Sequence, residues 1–160
     1  MPTLVLVRHA QAAYSYPDHS RPLTDAGIDQ AARLGVAVAR DVGGFDVAVC
    51  SDATRAQETF SQISRRVRVR DGWFDRSVYN ADEEDIITLA RTFEGERALI
   101  VGHEPTMSGV GYVLAREDSR GEVARGIPTA TALILSFDGA WEDLSPGSAA
   151  LRLILTPPTR

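Results

Sequence analysis

Short, continuous apolar runs alternate along this chain with stretches of helical hydrophobic spacing, and that alternation leaves few folds open. Residues 3–8, Val47 to Cys50 and Ala98 to Val101 are rich in β-branched residues and carry little polar alternation. Such a run reads as a strand covered on both faces, as in a parallel sheet with helices above and below it. Residues 25–41 place Ile28, Ala31, Ala32, Gly35, Val36, Val38 and Ala39 at helical spacing, and Gly43-Gly44 stops the pattern. A second helix is expected from about Asp52 to Arg65, capped by Ser51 or Asp52. A third runs from Asp82 to about Phe93, with Asp82 and Asp85 spaced as a capping box, and a fourth is opened by Glu104-Pro105 and reaches about Ala115. Val67 to Arg70 alternates apolar and charged residues, the pattern of a strand near a sheet edge. Thr131 to Phe137 and Ala149 to Leu155 read as two further strands, paired antiparallel at one side of the sheet. The expected fold is α/β: a three-layer αβα sandwich with a mostly parallel central sheet, as a single domain over residues 1–160.

Charge and composition remove several function classes. A net charge of -5 argues against non-specific nucleic-acid binding, which needs a basic footprint to displace counterions. All 17 basic residues are arginine, so a phosphate-loop lysine, a Schiff-base lysine and a lysine general base are excluded. Arginine must perform every cationic task, and its planar fork matches phosphate. The apolar run before Arg8 is too short for a signal peptide and no transmembrane stretch is seen, so no membrane partner is expected. With Cys50 as the one cysteine, no internal disulfide can form, and the chain reads as cytoplasmic. Cys50 ends an apolar run and is expected to be a buried core thiol. Trp73-Phe74 and Trp141 are likewise expected in the core.

Three of the strand-like runs lead directly into cations or imidazoles: Leu6-Val7-Arg8-His9-Ala10, Ser51-Asp52-Ala53-Thr54-Arg55-Ala56 and Val101-Gly102-His103-Glu104-Pro105. In open α/β sheets, ligands gather outside the carboxyl ends of the strands. Arg8, His9, Arg55 and His103 are therefore expected along one rim, where they can surround a phosphoryl group. The segment Leu-Val-Arg-His-Ala, with Arg21-Pro22-Leu23-Thr24-x-x-Gly27, Ser51-x-x-x-Arg55-Ala56-x-x-Thr59, Val78-Tyr79-x-Ala81 and Val101-Gly102-His103-Glu104-Pro105, resembles the histidine phosphatase (phosphoglycerate mutase-like) superfamily. The order and spacing are similar to those of its small SixA-like branch, the phosphohistidine phosphatases. The resemblance covers residues 4 to about 115 well and the tail loosely.

The resemblance implies a phosphoglycerate mutase-like fold and a metal-independent phosphatase, with no cofactor, that works through a phosphohistidine enzyme intermediate. His9 is the expected nucleophile, because a neutral imidazole can attack phosphorus and divide one hydrolysis into two transfers. Neighbouring guanidiniums are expected to lower its pKa. Arg8, Arg55 and His103, the last protonated beside a bound dianion, are expected to hold the phosphoryl oxygens, with backbone N–H groups of the helix at Glu104-Pro105 assisting. Arg21, preceded by Asp18, is expected to bind phosphate as well, whereas His19 in the same loop reads as an exposed histidine.

No inserted segment carries a general acid. The nearest carboxylates are Asp75, the possible acid, and the cluster Asp82, Glu83, Glu84 and Asp85, which reads as a solvated helix start. The imidazole released from phosphohistidine is a better leaving group than an alkoxide, so a missing acid favours protein phosphohistidine as substrate, borne by a signalling or phosphotransfer protein. The alternatives are a small-molecule phosphomonoesterase, which needs a carboxylate such as Asp75 at the leaving oxygen, and a non-catalytic module that binds phosphorylated partners. Ala10 departs from the superfamily's glycine, Asp52 stands where proline is usual, and Glu104 follows His103. The last two place carboxylates beside the site.

Overall fold

The computed structural model describes residues 1–157. Strands β1 (Thr3–Arg8), β2 (Phe45–Ser51), β3 (Val69–Asp75), β4 (Arg97–Gly102), β5 (Ala132–Ser136) and β6 (Ala150–Ile154) form one sheet in the order β3-β2-β4-β1-β5-β6. The first four in that order are parallel, whereas β5 runs antiparallel to β1 and β6 antiparallel to β5. The helices are α1 (Asp25–Asp41), α2 (Thr54–Ser64), α3 (Arg76–Tyr79), α4 (Glu83–Ala90) and α5 (Thr106–Leu114).

The pleat of β1 sorts its apolar run onto two faces. Val5 and Val7 pack with Ala31, Leu34 and Val38 of α1 and with Ala56 and Ile63 of α2. Leu4 and Leu6 face the opposite layer, with Ile86 and Ile87 of α4 and Met107, Val110 and Leu114 of α5. This is the three-layer αβα sandwich with a mostly parallel sheet that the alternation predicts. Each such side chain, buried on folding, contributes roughly 1.5–3 kcal/mol. No helix among the described residues is long and apolar enough to cross a membrane.

Several details differ from the sequence reading. The inward stripe of α1 is Gly27, Ala31, Leu34 and Val38, while Ile28 and Val36 are exposed, because a 3.6-residue repeat from Gly27 carries those two positions to the outer face. Helix α2 starts at Thr54 with no side-chain cap, since the Ser51 hydroxyl accepts from Ala53 N–H and turns toward the sheet rim. The edge strand is β3, extending to Asp75, so Trp73 and Phe74 are 42% and 50% exposed rather than in the core. Trp141 is buried, donates to the Gly95 carbonyl and packs on Phe93 and Phe137. Cys50 is buried as expected. The Asp82–Asp85 capping box forms, and α4 ends at Ala90.

Gly27 explains why its motif needs glycine. A Cβ there would overlap the Gln11 carbonyl oxygen in the loop that follows β1. Gly27→Ala therefore forfeits the ~1 kcal/mol helix-propensity gain that alanine normally brings. A net destabilisation of roughly 1–3 kcal/mol is expected, read as a lower urea midpoint.

Candidate active site

Strands β2, β4 and β1 lie side by side and parallel, so the residues that follow their carboxyl ends share one rim. The chain leaves β1 toward β2 on one side and leaves β4 toward β5 on the other, which opens a crevice between β1 and β4. His9 extends the β1–β4 register by one rung, its N–H donating to the Gly102 carbonyl. Arg55 enters from the first turn of α2 and His103 from the residue after β4. Arg8, His9, Arg21, Arg55, His103 and Glu104 line a common cavity of about 330 Å³.

Hydrogen bonds fix the His9 tautomer from both sides. Nδ1 lies 2.7 Å from the Ala10 carbonyl oxygen and can only donate to it, and Arg55 Nε–H donates to Nε2 at 3.2 Å. Both bonds form only if Nδ1 carries the proton and Nε2 carries the lone pair. Burial lowers the His9 pKa from 6.5 to about 3 as the largest cause; His103, Arg55 and Arg8 push the same way, and the bond to Ala10 opposes them. Desolvation thus outweighs the guanidinium field that the sequence reading made responsible.

His103 stands with its ring 5.3 Å from that of His9. Its Nε2 bonds the Ser51 hydroxyl at 2.8 Å, and since Ser51 Oγ already accepts from Ala53, its hydrogen is free to donate to the ring. The proton of His103 then sits on Nδ1, which is buried without a partner among the described residues, as is Arg8 Nε. Burial first, then Arg55, lowers the His103 pKa to about 4, so the ring is neutral at neutral pH before an anion arrives.

Both imidazoles impose a sign on stability. An unfolded histidine protonates near 6.5, but the folded groups resist until about 3 and about 4, so the unfolded state binds more protons in between. Their contribution is fully present above 6.5 and is lost as pH falls through the folded values. Unfolding free energy should therefore drop steadily on acidification below about pH 6.5, with a shallower slope in His9→Ala. Urea titrations across that range measure both slopes.

The arginines are braced by Asp18. Arg55 donates to the Asp18 carbonyl at 2.8 Å and to Oδ2 at 3.1 Å; with the bond to His9, three of its five donors are engaged among the described residues. Arg21 donates to Asp18 Oδ1 and to the Ala13 carbonyl. The Tyr79 hydroxyl donates to Asp18 Oδ2 at 2.6 Å, and this bond, aided by the two guanidiniums, holds the carboxyl well below the usual range. Arg8 donates to the Ile127 carbonyl, and Glu104 accepts from the Ile127 N–H, so the two side chains clasp one peptide segment.

Glu104 also accepts from the Ser108 N–H and hydroxyl. That N–H is therefore not available to a ligand as the sequence reading allowed, and Pro105 is the cap residue of α5 rather than part of its first turn.

Asp75 is not brought into this cluster. Its carboxylate caps α3, accepting from Ser77 N–H at 2.9 Å and from the Trp73 indole at 3.3 Å, and the bonds from Ser77 lower its pKa. A general acid needs the opposite shift. His19 is not a free loop side chain: its Nε2 donates to Asp52 Oδ1 at 2.7 Å. Asp52 is thereby paired, with Arg76 3.7 Å from its other oxygen, and does not stand open to an anion. The sequence motifs contain Ser51, Thr59 and Tyr79, but their tasks emerge only in three dimensions. Thr59 accepts from Ala10 N–H and donates to the Arg55 carbonyl, tying the loop after β1 to α2.

Residues 4–79 match the model of the histidine phosphatase superfamily, branch 1. An uncharacterized protein of Mycobacterium tuberculosis is 32% identical over 154 residues, covering 91% of this chain and 96% of the relative. The structure of a candidate phosphohistidine phosphatase SixA from Nakamurella multipartitia is 30% identical, covers 99% of this chain and 97% of its own, and superposes with a TM-score of 0.84. That of a corresponding candidate from Agrobacterium tumefaciens is 28% identical, covers 86% and 93%, and has a TM-score of 0.78.

Proposed function

From the premise that the chain belongs to the SixA-like branch of the histidine phosphatase superfamily, and is thus a phosphatase, we propose that it hydrolyses phosphohistidine carried on a cytoplasmic protein. One observation carries this reading. His9, whose Nε2 carries the lone pair, lines one cavity with Arg8 and His103, whose Nε and Nδ1 are buried without partners among the described residues.

In the proposed first transfer, His9 Nε2 forms a bond to phosphorus as the substrate P–N bond breaks, and the substrate ring, already protonated on its other nitrogen, takes the electron pair and leaves as neutral imidazole. The Arg55 Nε–H now on that lone pair gives way to phosphorus. Arg8, Arg55 and His103 Nδ1–H hold the non-bridging oxygens, and Arg21 meets the group from the cavity wall. Donors fixed in advance in a water-poor site stabilise the developing charge without reorganising, which is where most of the acceleration in phosphoryl transfer arises. In the second transfer water attacks phosphorus, the electron pair returns to Nε2, and inorganic phosphate leaves.

The alternative of a small-molecule phosphomonoesterase asked for a carboxylate such as Asp75 at the leaving oxygen, and Asp75 is occupied as a helix cap. Comparing kcat/KM on a phosphohistidine-bearing protein with kcat/KM on phosphate esters tests the reading. A preference for the phosphoprotein of on the order of 10²-fold is expected from the easier leaving group. A preference for an ester overturns it, and binding without any turnover identifies a binding module instead.

A further inference from the structure

Strand β3 forms one edge of the sheet; it pairs with β2, and among the described residues no strand lies along its outer side. Every residue from Arg70 to Phe74 is exposed. Residues 65–76 carry five arginines, Arg65, Arg66, Arg68, Arg70 and Arg76, against Asp71 and Asp75, in a chain whose net charge is -5. The edge is therefore a basic stripe on an acidic protein.

Three features follow one another along it. At the amino end, Arg68, Arg70 and Arg97 line a hollow of about 270 Å³ together with Asp46, whose Oδ2 accepts from the Glu96 and Arg97 N–H groups. Among the described residues, neither Arg68 nor Arg70 spends its guanidinium on a hydrogen bond or salt bridge. In the middle, Phe60, Ser64, Val69, Gly72, Trp73 and Phe74 line a second hollow of about 300 Å³, with Phe60 edge-on to Phe74 at 6.0 Å. At the carboxyl end, Asp75 pairs in register with Ser51, whose hydroxyl bonds His103 in the catalytic cavity. The stripe thus runs from unpaired cations, past an apolar hollow, to the rim that holds His9.

We propose that the β3 edge docks the protein substrate by taking up an extended acidic segment, with carboxylates at the arginine hollow and an apolar side chain at Trp73 and Phe74. The inference rests on the phosphohistidine reading above. A segment laid beside an edge strand gains main-chain hydrogen bonds, and its alternate side chains supply specificity. Guanidinium forks match carboxylates, so the charge of the stripe selects an acidic partner. A second copy is the wrong occupant, because a two-fold contact sets the stripe against itself and brings the arginines of both chains together. The path from the arginine hollow along β3 and across the sheet to His9 spans on the order of ten extended residues, which sets the separation of the acidic run from the phosphohistidine.

The test uses the full chain and synthetic peptides that each carry a single phosphohistidine. The first has a run of glutamates alternating with valine about ten residues from the phosphohistidine; the second has glutamine in place of the glutamates; the third keeps the valines and moves the glutamates beside the phosphohistidine. The first should exceed both others in kcat/KM by about tenfold, through KM, and the gain should shrink in salt. Arg68→Glu combined with Arg70→Glu should erase the gain and leave kcat/KM on free phosphohistidine within about twofold of wild type, since neither residue lines the catalytic cavity. Trp73→Ala should weaken all three peptides alike. Fluorescein-labelled, unphosphorylated copies of the first and second peptides read docking without chemistry, and their Kd values should differ by the same factor. Equal kcat/KM for the three peptides on the wild type overturns the docking edge, as does a double variant of unchanged urea midpoint that loses free phosphohistidine turnover too. A dimer in sedimentation that the double variant dissolves also overturns it, because a second copy then occupies the strand. If the labelled peptides differ in Kd but free phosphohistidine is not hydrolysed, the phosphohistidine reading has failed, and with it the assignment of the docked partner as substrate.

Discussion

His9→Ala should lose turnover by on the order of 10⁴-fold or more while remaining folded, the scale seen when a covalent nucleophile is removed. The size follows from the absence of a substitute. His103 uses Nε2 on Ser51 and offers its other nitrogen as a donor, and Cys50 is buried with its thiol pushed up by desolvation. The side chain removed is small; it gives up one bond donated to the adjacent Ala10 carbonyl and one accepted from Arg55 Nε–H, and Arg55 remains held by the Asp18 carbonyl and carboxylate. Circular dichroism and a urea midpoint measured beside the kinetics separate loss of chemistry from loss of structure. The same geometry predicts the acid behaviour of the wild type. At about pH 5 an ordinary imidazole is mostly protonated, but His9 with a pKa of about 3 keeps its lone pair.

Arg55→Ala is expected to cost on the order of 10²- to 10³-fold in kcat/KM, the range for removing a preorganised donor to a developing oxyanion. Inhibition by vanadate and by phosphate should weaken together, since both are held by the same fork. Three consequences act at once: the donors to the ligand vanish, the Nε–H that orients His9 Nε2 is lost, and Asp18 keeps its charge beside the cavity with one cation fewer. Arg55→Lys should not restore activity, because an ammonium cannot reach His9 and both Asp18 acceptors from one position. An unchanged vanadate affinity in Arg55→Ala would remove Arg55 from the site.

Apolar continuity made β1, β2 and β4 readable, because strands covered on both faces need unbroken runs, and their shared direction then placed Arg8, His9, Arg55 and His103 on one rim. The alternation of apolar and charged residues that marks Val67 to Arg70 as an edge strand stops at Arg70, whereas β3 runs to Asp75, because at a sheet edge aromatic residues such as Trp73 and Phe74 can pack on one side and remain half exposed. Asp75 looked like an acid because it is a carboxylate near the right segment; only its bonds to Ser77 and Trp73 reveal a cap. His19 and Asp52 are 33 positions apart, and each alone read as a loop histidine and an intruding carboxylate. Their pairing depends on how the turn at Asp18–Ser20 packs against the start of α2, which no local pattern encodes.

The most direct measurement is rapid quenching of the enzyme during turnover of a phosphorus-labelled phosphoramidate, under alkaline conditions that preserve phosphohistidine, followed by peptide mapping. Label on the peptide carrying His9, lost on acid treatment and absent in His9→Ala, is the predicted result. Label on any other residue, or full turnover with no labelled protein at the shortest quench, would contradict it.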